Sequence, residues 1–220
     1  NIRLSILLFL SLDVVLGNMV TYSIPKYRYE QALNLGCQMR IRSKIYHHDL
    51  KPNVAAKEAW GNEIYDIKTN SLGFKDSSTR HVSLNKDSYR VLFIGDSHTE
   101  GLGYAFEDTF AGRLSKQFEG NIEILNAAVS SYSPIIYWKK IETLVESRGL
   151  KIDEVIVFLD VSDIRDELNY YLDEDGRVAH HRDSYLAPLF YNKDQTYSAT
   201  FCKIRGMFKR NFLTMRVISS

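Results

Sequence analysis

The sequence predicts an α/β fold built on a parallel sheet, and two observations carry that expectation. Between residues 89 and 161, short continuous apolar runs alternate with amphipathic stretches. Such runs are the pattern of strands buried on both faces. Strand, helix, strand, helix, strand then implies right-handed crossovers, with helices covering the sheet. The expected architecture is an α/β/α sandwich with three parallel strands. Composition agrees: 220 residues, 45% hydrophobic and 25% charged, suffice for one sizeable core. A formal net charge of +1 gives no electrostatic ground for a nucleic-acid partner.

Three segments follow from the pattern. "IRLSILLFLSLDVVLGNMV" (Ile2 to Val20) is mostly aliphatic, with Arg3 before it and Asp13 inside it. It approaches the roughly 20 apolar residues of a membrane span, although an acid at mid-membrane costs about 3 kcal/mol. Residues 1–20 are therefore read as a signal-anchor or signal peptide, with the rest exported, to a bacterial periplasm by this reading. The chain begins with Asn rather than Met, so its true start is expected to lie upstream. Residues 21–87 form a preface without sustained periodicity, holding a short helix around Tyr27 to Arg40 and a strand with a turn in "IYDIKTNSLGFKD" (Ile64 to Asp76). Residues 88–220 form the α/β domain.

Within that domain "YRVLFIG" is the first strand. "DTFAGRLSKQF" places Phe110, Leu114 and Phe118 on one helical face, with Asp108 as expected N-cap. "NIEILNAAV" is the second strand. "SPIIYWKKIETLVESRGL" is a helix capped by Ser133, with Pro134 in its first turn and Gly149 as stop. "DEVIVFLDV" (Asp153 to Val161) is the third strand. Beyond Asp166 the pattern weakens into an insertion turning at Asp173 to Gly176, then a basic helical stretch in "SATFCKIRGMFKRNFLTMRVI". Cys37 and Cys202 read as free thiols, and no zinc-type spacing is present.

The chemistry concentrates in "VLFIGDSHTEGLG" (Val91 to Gly103). In an open parallel sheet, ligands bind beyond the carboxyl ends of the strands, and Ser97 falls there. Gly95 permits a tight turn and close packing. A residue opening a helix has a backbone N–H with no intrahelical acceptor, so the Ser97 N–H suits an oxyanion. A phosphate cradle is the poorer reading, because Asp96 and Glu100 repel an anion and no P-loop lysine follows.

"FIGDSHTEGLG" resembles the first block of the SGNH, or GDSL, hydrolases, a family of esterases, lipases and carbohydrate deacetylases with a flavodoxin-like parallel sheet. "TNSLGFKD" resembles the membrane-anchored bacterial members, and the likeness covers roughly residues 64 to 170. It implies Ser97 as nucleophile, with Gly95 and Asp96 shaping the turn. It implies Ser131 of "NAAVSSYSP" as the second oxyanion N–H donor, where the family has glycine. In "FLDVSDIRDEL" Ser162 stands for the family's oxyanion asparagine and Asp163 for the acid after it. Losing one oxyanion donor costs about a hundred-fold in rate. No cofactor or metal is implied.

The family's base comes from a late Asp-x-x-His, and none of His47, His48, His81, His98, His180 and His181 has an aspartate three residues earlier. The chain is expected to stop before that block, leaving the base unassigned and this chain slow or inactive on p-nitrophenyl acetate. His98 reads as a rim residue, His180 and His181 as exposed surface, and His47-His48 with Asp49 as a weak metal pattern. The resulting expectation is a serine esterase on carboxylic esters, small or carbohydrate-borne. The alternatives are a non-catalytic binding module and an O-acyltransferase on the same fold.

Overall fold

The computed structural model describes residues 2–23, 39–60 and 63–181. Ile2–Ser23 (α1) is one helix, long and apolar enough by length and composition to cross a membrane. Its large aliphatic side chains, Leu7, Leu8 and Leu12 among them, are exposed. Both cysteines and the basic C-terminal stretch lie outside the described residues, as does the short helix expected around Tyr27 to Arg40 through residue 38.

Two hairpins precede the sheet. Arg40–Ser43 (β1) pairs antiparallel with His47–Leu50 (β2), and Ala55–Trp60 (β3) with Glu63–Lys68 (β4). The first is closed by the Ser43 hydroxyl, which accepts from the N–H groups of Ile45 and Tyr46. The turn at Asn70 to Gly73 is as expected. Asn70 Oδ1 accepts from Leu72 N and Phe74 N, and Gly73 takes φ 84°.

Tyr89–Ile94 (β5) is the central strand of a parallel sheet. Ser97–Glu100 (α2) follows it, then a 3-10 turn at Phe106–Asp108 and Phe110–Gln117 (α3). Ile122–Asn126 (β6) lies on one side of β5 and Glu154–Val157 (β7) on the other. Pro134–Glu142 (α4) connects them and runs on as a π-turn through Thr143–Ser147. Val161–Glu167 (α5) follows β7, and Tyr170–Leu172 (β8) pairs with Val178–His180 (β9) as a hairpin. The result is a mixed α/β fold on a three-stranded parallel sheet.

The continuous apolar run of β5 has the cause assigned to it. Side chains alternate across a strand, so Val91 and Phe93 join Phe106, Ala111 and Ile124 on one face. Leu92 joins Leu72, Phe74 and Leu125 on the other. Ile94, at the strand end, packs with Met39, Leu50, Tyr65 and Ile67 from the hairpins and with Val129 and Ile136. The hairpins thus share a core with the sheet.

Three boundaries differ from expectation. Thr109, not Asp108, caps α3: its hydroxyl accepts from Gly112 N at 3.1 Å, while Asp108 is spent in the 3-10 turn. The third strand ends at Val157 rather than Val161, because Asp160 and Asp163 form a capping box that starts α5. The Ser133 helix changes to π-type winding after Glu142, and the Ser133 hydroxyl makes no cap bond.

Charged groups are buried between the hairpins and the sheet. Glu100, fully buried at the end of α2, accepts both guanidinium nitrogens of Arg40 at 2.9 and 2.7 Å and the Ser130 N–H at 2.6 Å. Lys75 donates to the carbonyls of Gly101 and Tyr104, and burial lowers its pKa to about 8. Lys140, fully buried, donates to Asp49 and to the Ala127 carbonyl.

Burial alone would raise the Glu100 pKa, but Arg40, the Ser130 N–H and Lys75 overcome it and hold the carboxyl below its ordinary value. Removing one partner of a buried pair leaves an uncompensated charge. Arg40→Met is therefore expected to destabilise the fold by about 3–5 kcal/mol in urea titration. Because the folded pKa is depressed, the stability contributed by Glu100 is full above its unfolded pKa of about 4.3 and is lost as pH falls through the folded value. Glu100→Gln should be weaker at pH 7 and show a shallower acid limb. An unchanged acid limb would contradict this assignment.

Candidate active site

Ser97 opens α2 directly beyond the carboxyl end of β5. Gly95 makes this possible by lacking a side chain. A Cβ there would lie 2.3 Å from Thr99 Oγ1 and 3.1 Å from the Phe158 carbonyl oxygen, so the first turn of α2 folds tightly back on the strand end. Asp96 is the N-cap: buried, it accepts from His98 N at 2.9 Å. Its other oxygen, Oδ2, stands 3.4 Å from both Ser97 Oγ and Ser162 Oγ. Contacts of that length are weak, so the Ser97 hydroxyl is loosely held. Its N–H, in the first turn, has no partner among the described residues.

Ser131 follows the end of β6, the parallel neighbour of β5, and takes φ 66°. That left-handed conformation suits glycine, and an L-residue there is strained by about 1–2 kcal/mol. A glycine at this position would be free of that strain. The Ser131 carbonyl accepts from the Tyr170 hydroxyl at 3.1 Å. Its N–H, too, has no partner among the described residues.

Ser162 lies in the first turn of α5, beyond the end of β7. Its Oγ is 2.6 Å from Asp160 Oδ1, to which it donates its single proton. Asp163 is buried, accepting from the Tyr137 hydroxyl at 2.7 Å and from Asp160 N at 2.9 Å. Burial raises its pKa, and the nearby charges of Asp96 and Asp160 add to the rise. The hydrogen bond from Ser162, against a smaller opposing effect of burial, lowers that of Asp160. Ser97 and Ser162 are thus brought onto one carboxylate, with Ser131 at the same end of the sheet.

The histidines are distributed as follows. His98 is largely exposed, with Nε2 3.3 Å from Asp160 Oδ2. Asp96, His98 and Asp160 each bring one ligand atom within 4.8 Å of the others, close enough to share one divalent cation. Asp160 is not among the residues singled out from the sequence, although Asp160 with Asp163 three residues later is the spacing of a capping box. A partner 62 positions downstream also escapes any Asp-x-x-His search. His181 is exposed as expected, against Tyr171, whereas His180 is half-buried beside Tyr170 and His47. His48 is turned onto the Ser130 carbonyl, and Asp49 is committed to Lys140 and Tyr46. No histidine among the described residues is hydrogen-bonded to Ser97 Oγ.

No family model matches this chain, and no curated protein does. Among solved structures, AlinE4, described as an SGNH-hydrolase family esterase, aligns at 25% identity with a TM-score of 0.32. The alignment covers 37% of this chain and 44% of that one, so the chain spans less than half of that structure.

The strain at Ser131 has a measurable consequence. Ser131→Gly removes the Cβ clash but loosens the unfolded chain, for a net stabilisation of about 0.5–1 kcal/mol. A rise of the urea midpoint at unchanged slope is the expected result, and a fall would show that the serine side chain supports the loop.

Proposed function

We propose that this chain belongs to a serine esterase of SGNH type, an α/β/α sandwich acting on carboxylic esters through a Ser97 acyl-enzyme. The observation that carries the proposal is Ser97 in the first turn of α2, at the carboxyl end of the central parallel strand, with a loosely held hydroxyl and an N–H without a partner among the described residues. A base removes the Ser97 proton as Oγ attacks the ester carbonyl carbon. The Ser97 and Ser131 N–H groups receive the negative oxygen, and the alcohol departs with a proton. Water then cleaves the acyl-enzyme. Ser162 assists weakly, its proton being directed to Asp160, while Gly95, Asp96 and Asp163 shape and support the site. An acetyl ester on a carbohydrate is the proposed substrate. No nucleic acid, cofactor or metal enters this scheme.

The test uses the full-length protein in detergent with p-nitrophenyl acetate, with the acyl-enzyme sought by mass spectrometry. Ser97→Ala should lower turnover at least a thousand-fold with the circular dichroism spectrum unchanged. Turnover that survives the substitution would remove the serine assignment. The commitment of the Ser162 proton to Asp160 favours a second reading, a non-catalytic binding module. Binding of acetylated oligosaccharides by parent and Ser97→Ala alike, without turnover, would establish it. Acetyl appearing on an added sugar acceptor instead of in water would mark an O-acyltransferase.

Residues 1–20 are proposed as a signal-anchor or signal peptide, 21–87 as a preface and 88–220 as the α/β domain, placed in the periplasm. A reporter joined after residue 88 should be active only on the exported side. Activity confined to the cytoplasm would exclude this.

A further inference from the structure

We infer that His48, from the first hairpin, is a positioning residue that aims the Ser131 N–H at the reacting carbonyl; the inference rests on the esterase reading above. The Ser130 carbonyl and the Ser131 N–H belong to one planar trans peptide unit, so the two point in opposite directions. Whatever holds the Ser130 oxygen therefore sets where the Ser131 N–H points. His48 Nε2 is 2.9 Å from that oxygen. A carbonyl only accepts, so Nε2 carries the proton.

The rest of the local network is consistent with one tautomer. Burial and the adjacent His47 keep His48 neutral, lowering its pKa to about 3. With Nε2 protonated, its Nδ1 is bare and accepts from His47 Nδ1 at 2.8 Å. The ring is held edge-on against Tyr132 at 4.9 Å, and Tyr132 in turn donates to the His48 carbonyl. His48 is thus fixed by its own strand, by a neighbouring imidazole and by a buried ring.

This latch matters because of what occupies position 131. Rotation of the 130–131 peptide plane would carry Ser131 out of φ 66° into the ordinary negative-φ range, relieving its strain and turning its N–H away. A glycine would feel little of that pull; the serine feels it fully. Glu100 holds the preceding N–H of Ser130, and the His48 bond holds the plane that would otherwise turn.

His48→Met and His48→Gln in the full-length protein separate this role from packing, since the two side chains have similar length and only Gln offers an N–H. Met should lower kcat for p-nitrophenyl acetate at least tenfold with KM within about twofold, and Gln should restore kcat to within about threefold of the parent. Adding Ser131→Gly to the Met variant should recover part of the loss, because glycine removes the pull. Equal kcat for Met and Gln, or a loss expressed in KM, would overturn the inference. If the Met variant fails to fold by circular dichroism, Asn takes its place, one methylene too short to reach the carbonyl. The Ser97→Ala control separates the two failures. Turnover that persists without Ser97 removes the esterase reading and this inference together. Ser97-dependent turnover that is indifferent to the His48 donor removes this inference alone.

Discussion

The arrangement around Ser97 depends on one buried ion pair. Glu100 closes the short helix that Ser97 opens, and no part of it reaches solvent. Moving a lone carboxylate into such a place costs several kcal/mol. The cost is offset because the guanidinium of Arg40 binds both oxygens and the Ser130 N–H supplies a third bond. These three bonds join a hairpin, the helix that begins at Ser97 and the loop after β6. None of the three segments can shift without exposing or orphaning the charge, so the pair works as a geometric constraint more than as a source of net stability.

A second buried ion repeats the device one strand further on. Lys140 of α4 reaches Asp49 of β2, and Tyr132 donates to the His48 carbonyl within the same contact region. Strand β2 therefore carries the partner of a buried lysine at position 49 and the donor to the Ser130 carbonyl at position 48. The hairpins that precede the parallel sheet supply Arg40, His48 and Asp49 to the ground beneath it, and Lys75 from the following turn braces the loop at Gly101 and Tyr104. The first hairpin thus holds groups of α2, α4 and the loop after β6 in place.

What the sequence revealed and what it concealed follow from the range of the interactions. The strands β5, β6 and β7 could be read because burial on both faces writes itself locally as an apolar run. Ser97, Ser131 and Ser162 could be placed because each follows such a run. The ends were less readable: Asp108 and Thr109 are both acceptable caps, and only Thr109 reaches Gly112 N. Val161 continues the apolar run of β7 in sequence, but Asp160 and Asp163 cap the helix that it begins. Glu100 appeared only as a charge repelling anions, since its partner Arg40 lies 60 positions upstream. The hairpins showed no periodicity because their buried faces mix Met39 and Leu50 with Asp49 and Glu58, residues whose burial is decided by partners elsewhere.

On the proposed esterase reading, the electrostatics around Ser97 limit the chemistry it would perform. Asp96, Asp160 and Asp163 stand close enough for the first two to raise the pKa of the third, and the cation-capable group paired with them is His98. A free alkoxide on Ser97 would add a further negative charge beside this group. In the proposed reaction, proton removal would therefore accompany attack, with the charge passing directly to the carbonyl oxygen. The same carboxylates would disfavour an anionic group bound near α5. On the proposed reading the receiving N–H groups are those of Ser97 and Ser131, and the second depends on the peptide plane before Ser131 keeping the orientation that the His48 contact to the Ser130 carbonyl gives it.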